Sequence, residues 1–149
     1  MLDLHELRRQ HRLIMVCATG LRGLGDMIKT RQDAEEARAA IEVINRMLIE
    51  HLAIEDNHLY PALLAGADGD VAAMAADCAE EMGGIRSAWV AYRNQWTAVS
   101  IAADPARFSA ATAGVIGALA LRVERENAEL YPAVEALSQT SVSPRRAAG

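Results

Sequence analysis

Two stretches of the chain end in the same tripeptide, and together they constrain how it can fold. The first runs from His51 through Glu55 to Leu59-Tyr60-Pro61; the second runs from Arg122 through Glu126 to Leu130-Tyr131-Pro132. Aligning the two endings pairs His51 with Arg122 and Glu55 with Glu126. Residues four apart on a helix stack on one face, so each stretch reads as a helical segment with a polar pair on one side, closed by a proline that interrupts the regular hydrogen bonding. The chain therefore reads as two related helical hairpins that present polar pairs at the same depth, one with a histidine and the other with an arginine.

The remaining helices follow from apolar spacing. The first is expected over about residues 2–29, with Leu4, Leu7, His11, Ile14, Ala18 and Leu21 at spacings of three and four. Gly20, Gly23 and Gly25 weaken its last turns or let a neighbour approach, and Thr30 to Asp33 reads as a turn. The second is expected from about 33 to 64, with the stripe Ile41, Ile44, Leu48, His51, Glu55, then His58 or Leu59, and Ala62 or Leu63. Gly66 to Gly69 reads as a turn. The third, from about 70 to 100, carries Ala75, Cys78, Met82, Ile85, Trp89, Tyr92 and Trp96; Gly83-Gly84 predicts an irregularity or a close helix contact within it. Asp104-Pro105 is a helix start for a fourth helix reaching about Leu137, with Phe108, Thr112, Val115, Leu119, Arg122, Glu126, Leu130 and Ala133 facing inward. The fold class is all-α: an up-down-up-down four-helix bundle over 1–137, followed by a polar tail over 138–149 that reads as disordered.

Aromatic residues are only 4% of the chain, so Ala, Leu, Ile, Val and Met must fill the core. The formal charge of −5 argues against sequence-independent nucleic-acid binding. No apolar run reads as long enough to span a bilayer, and the charged, amphipathic N-terminus does not read as a signal peptide. Cys17 and Cys78 are few and far apart, which fits a reduced cytoplasmic protein. A homodimer or a protein partner is compatible with this composition.

Four ionisable groups stand at positions where the stripes ask for apolar ones: His11, His51, Glu55 and Glu126, with Arg122 one turn before Glu126. His11 lies about three turns from the start of its helix and His51 about three turns from the far end of its own, so an antiparallel bundle brings them to one layer. Burying such groups unpaired is prohibitive. A metal ion or a closed ionic network must satisfy them. Imidazole with carboxylate suits iron, manganese or zinc.

These residues carry a family resemblance. Arg8-Arg-Gln-His11, His51-x-x-x-Glu55 followed by Leu59-Tyr-Pro61, and Glu126 followed by Leu130-Tyr-Pro132 resemble the hemerythrin-like, or HHE cation-binding, domains over nearly the whole chain to about Leu137. The resemblance implies a non-haem di-iron centre inside a four-helix bundle. One iron would take a histidine from each of the first two helices, the other would take histidines from the third and fourth, and two carboxylates would bridge them. His11, His51, Glu55 and Glu126 match one iron plus both bridges. The third helix has no histidine, with Met82 standing near the expected position, and Arg122 replaces the fourth-helix histidine.

The site is thus expected to be degenerate. Arg122 is expected to pair with Glu126, and with Glu55, where the second metal would sit. Two states stay open: one ion held by His11, His51, Glu55 and Glu126, or a metal-free ionic network. The corresponding functions are a regulatory or sensory protein linked to metal, oxygen or redox state that does not carry dioxygen on two irons, or a metal-free interaction module. No nucleophile–base pair, phosphate loop or cofactor fingerprint points to an enzyme.

Overall fold

The computed structural model describes residues 2–66 and 69–137. The expected turn at 66–69 lies partly outside them, and the expected tail at 138–149 lies wholly outside. Helix α1 spans Leu4–Gly25 and starts at Asp3, whose carboxylate accepts from the Glu6 backbone N–H at 3.2 Å. Helix α2 spans Arg31–Ile54. Thr30 to Asp33 is therefore its start rather than a free turn. The Thr30 hydroxyl accepts from the Asp33 N–H at 3.1 Å and the Asp33 carboxylate accepts from the Thr30 N–H at 2.9 Å, a reciprocal cap that satisfies two otherwise orphaned donors.

The chain continues through a single widened turn, Glu55–Leu59, into α3, Tyr60–Gly66. Helix α4 runs Gly69–Gln95, and a short α5, Ala98–Ala103, leads to α6, Pro105–Arg125. A second widened turn, Glu126–Leu130, joins α6 to α7 at 131–137. The third expected helix is thus broken near Gln95, where the Thr97 hydroxyl caps α5 by accepting from the Ser100 N–H at 3.3 Å. Among the described residues there is no strand.

Both widened turns are π-type and both immediately precede the Tyr-Pro pair. Proline has no N–H, and its ring crowds the carbonyl four residues earlier. The chain responds by adding a residue to the turn: the Tyr60 N–H bonds the Glu55 carbonyl, five residues back, and the Tyr131 N–H bonds that of Glu126. The helix continues past each proline. The extra residue also resets the phase, so His51, Glu55, Leu59 and Leu63 are all buried while His58 is exposed.

Elsewhere the inward stripes follow the spacing. Every expected position of α4 and of Trp96 beyond it is buried. Gly83 and Gly84 cause no irregularity; α4 passes through them unbroken, and a Cβ at either would meet nothing within 4 Å. Only Gly25, of the three expected to ease a contact, is approached closely: a Cβ there would lie 3.6 Å from the Phe108 ring. On α6 the inward residues are Phe108, Thr112, Ile116, Leu119 and Val123, so Val115 and Arg122 lie one position off the stripe. The continuous helix Pro105–Leu137 has a mean hydropathy of 1.3 over its most apolar stretch. By length and composition it meets the requirement for a membrane span, contrary to the expectation from sequence; the inward stripe of its α6 segment is packed in the bundle core.

Two apolar clusters result. One holds Ile14, Leu48, Met82, Trp89, Phe108, Leu119 and Val123; the other holds Leu7, Leu59, Leu63, Cys78, Leu130 and Tyr131. On α1, on α2 with its widened turn, and on α6 with its own, the residues between the clusters are ionisable: His11, then His51 and Glu55, then Glu126. On α4 the step from Cys78 to Met82 crosses the same layer with no histidine.

Candidate metal centre

The four expected ligands meet. His11, His51, Glu55 and Glu126 are at most 2% exposed, and one ligand atom from each lies within 4.8 Å of all the others. His11 Nε2 is 3.0 Å from Glu126 Oε1, and His51 Nε2 is 4.0 Å from the same oxygen. His51 Nε2 also touches Glu55 Oε1 across one helical turn. The two imidazole rings are 4.5 Å apart, centroid to centroid.

The outer nitrogen of each ring is already committed. His11 Nδ1 bonds Asn127 Oδ1 at 2.8 Å and His51 Nδ1 bonds Gln10 Oε1 at 2.8 Å. An amide oxygen only accepts, so in each neutral ring the proton sits on Nδ1 and the Nε2 lone pair faces inward. Both lone pairs then face carboxylate oxygens, an arrangement of acceptors against acceptors. His51 Nε2 and both Glu55 oxygens are buried without a hydrogen-bond partner among the described residues. Such a set is satisfied by a cation at its centre, either protons or a metal ion. A divalent ion would neutralise the two carboxylates and use both imidazole lone pairs, and the Nδ1 bonds are the outer contacts that orient histidine ligands in metal sites. The residues present therefore fit one ion.

The two carboxyls of the layer differ in protonation. Burial, reinforced by the Glu126 carboxylate, pushes the Glu55 carboxyl up to about 11. Burial opposes ionisation of Glu126 too, but hydrogen bonds donated by Glu55 and, with a proton at the centre, by His11 and His51 outweigh it and hold that carboxyl below the usual range. Glu55 is thus the protonated member and Glu126 the ionised one, as expected of two carboxyls that cannot both carry charge in one dry site.

Arg122 is not part of this layer. The expectation that it closes onto Glu126 and Glu55 is corrected by its position one residue off the inward stripe, where Val123 takes the buried place. Its guanidinium pairs with Glu81 on α4, and Arg125 pairs with the same carboxylate at 2.6 Å. These groups are about a third exposed, and the aliphatic stem lets the charge reach the surface.

What stands against Glu126 on the far side is a phenol. The Tyr60 hydroxyl donates to Glu126 Oε2 at 3.0 Å. The Tyr131 hydroxyl lies 3.2 Å from His11 Nε2, with the two rings stacked at 5.3 Å. Burial, with the two nearby carboxylates, raises both phenols. Tyr60 and Tyr131, which precede the two prolines, thus bring their hydroxyls to the site itself. Gln10 and Asn127 were missed, and adjacency was their signal: each is the chain neighbour of a ligand. Cys78 is buried in the second apolar cluster, and burial pushes its thiol up to about 11, the setting of an inert core residue.

Residues 2–134 match the family described as the hemerythrin HHE cation binding domain. The chain belongs to that family. No curated protein and no solved structure matches it. The hemerythrin-like bundle thus brings a candidate His/Glu cluster to one buried layer, with ligands supplied by three of its four long helical rods.

Proposed function

We propose that this hemerythrin-like chain holds a single metal ion on His11, His51, Glu55 and Glu126 and serves as a regulatory or sensory protein, not as a di-iron dioxygen carrier. The observation that carries the reading is the facing of two Nε2 lone pairs onto two buried carboxylates, with each Nδ1 tied outward. Iron, manganese and zinc all suit such a donor set. The ion would supply a redox or Lewis-acid centre in a water-poor layer. The chain's own residues do the rest. Gln10 and Asn127 fix the ring tautomers, Tyr60 holds one oxygen of Glu126, and the flanking apolar clusters restrict access.

A two-metal centre is disfavoured because α4 offers Cys78 and Met82 rather than imidazole at this depth, and Tyr60 occupies the second oxygen of Glu126. The alternative of a metal-free module locked by Arg122 loses its main support with that guanidinium engaged on Glu81.

The test is elemental analysis of protein purified from iron-supplemented cells, together with the His51→Ala variant. About one metal per wild-type chain, lost in the variant, is the expected result. A metal-free wild type, with unfolding unchanged by chelator, would overturn it, because ion binding adds its free energy to folding.

A further inference from the structure

The described residues leave the outward face of α6 uncovered. From Phe108 to Leu121 the sequence holds no charged residue, and only 28% of the most apolar stretch of the Pro105–Leu137 helix is buried. The outward faces of α1 and α2, by contrast, carry charges such as Arg9, Arg12, Glu36 and Arg46. Opposite its core side, α6 presents Arg107, Ala110, Gly114, Gly117, Leu121 and Glu124, at alternating spacings of three and four. That spacing makes one seam along the helix, the pattern by which a helix meets a second helix at a shallow angle. Leu121 is 60% exposed, and a Cβ at Gly114 or Gly117 would meet nothing within 4 Å, so the middle of the seam is open.

The two ends of the seam carry opposite charges. Arg107 lies in the first turn of α6, where the helix dipole disfavours a cation. Glu124 lies about 26 Å further along the axis. Among the described residues neither charge is paired: Arg107 gives its backbone N–H to Asp104 at 3.1 Å, and the cations nearest Glu124 in the chain, Arg122 and Arg125, are held by Glu81. A second copy laid antiparallel, about a two-fold axis between Val115 and Ile116, meets this order in register. Arg107 falls opposite Glu124 of the second copy, Ala110 opposite its Leu121, and Gly114 opposite its Gly117, and the symmetry makes each pair twice. Leucine sits on alanine, the glycines let the axes approach, and opposite charges meet at both ends. A parallel pair would set Arg107 against Arg107. A lipid surface would leave both charges unpaired, and the seam lacks the basic rim of a lipid-binding helix.

We propose that the outward face of α6 is the interface of a homodimer, with the two α6 helices antiparallel and Arg107 paired to Glu124 of the second copy. The seam is about 26 Å long and one helix wide, so the dimer dissociates readily and its population rises with protein concentration.

Sedimentation equilibrium of the full chain over a wide concentration range tests this, with far-UV circular dichroism on every variant. Wild type is expected to pass from monomer to dimer, and Leu121→Lys to stay monomeric with unchanged helicity. Arg107→Glu and Glu124→Arg each set like charges together twice per dimer and should weaken association about tenfold; the double variant carrying both should restore it. A wild type that stays monomeric throughout overturns the proposal, and its pelleting with phosphatidylcholine–phosphatidylglycerol vesicles would assign the face to lipid instead. A dimer that survives Leu121→Lys overturns it as well, as do single charge reversals that the double variant does not rescue. If Leu121→Lys fails to fold, the charge-reversal set decides alone.

Discussion

The stretches 51–61 and 122–132 use one backbone device and differ in what surrounds it. Each is α-helical, widens by one residue just before Tyr-Pro, and continues beyond the proline. Each turns a glutamate inward at the start of the widened turn and sends a tyrosine hydroxyl into the polar layer. The first copy also buries His51, which finds His11 and Gln10 on α1. The second copy has Arg122 at the matching place, and its neighbour α4 supplies Glu81 near the surface. Half of a symmetric site is thus completed by imidazoles and the other half by a phenol and an outward ion pair. A repeated backbone fixes where ligands can stand; the facing helix decides whether they form a metal site.

The comparison can be broken most sharply by stability. Leu59 and Leu130 occupy equivalent, fully buried positions in the two copies. Leu59→Ala and Leu130→Ala should each cost about 2–5 kcal/mol, by similar amounts, in urea unfolding of the metal-free protein. A clear gap between them would mean that the two turns are not structurally equivalent.

Next in size is the loss of a shared ligand. Glu126→Ala removes the carboxylate that both histidines face, and should weaken metal binding by about 100-fold or more, beyond the range typical of outer contacts. Competitive chelator titration measures it, and near-native affinity would refute the single-ion layer. The outer contacts themselves come third. Gln10→Ala and Asn127→Ala should each weaken the ion about 10–100-fold in the same titration while leaving far-UV circular dichroism unchanged.

The smallest effect sharpens the contrast between the copies. Arg122→Ala should shift stability by less than about 1 kcal/mol, as for exposed ion pairs, and leave metal per chain unchanged. A rise in metal content on removing Arg122 would show that its charge does oppose the ion.

The bundle and the four convergent groups were legible because apolar spacing records which face is buried, and because four ionisable residues interrupt otherwise apolar stripes. Arg122 was misplaced for a definable reason. From Leu119 a helical stripe can step three residues or four; the polar reading chose 122, whereas burial of Val123 required four. The prolines marked the irregular turns, but the way the backbone absorbs them, by adding a residue rather than ending the helix, depends on the apolar residues beyond each proline finding a core. Leu63 does so past Pro61. Which groups the tyrosine hydroxyls reach was hidden for the same reason, since their aim depends on the phase after the widened turn.

The most direct test of the central claim is a crystal structure of the iron-loaded protein with anomalous data at the iron edge. The account predicts one peak per chain, bonded to Nε2 of both His11 and His51 and to Glu55 and Glu126. Two peaks bridged by the glutamates, or no peak with the Arg122 guanidinium turned onto Glu126, would contradict it.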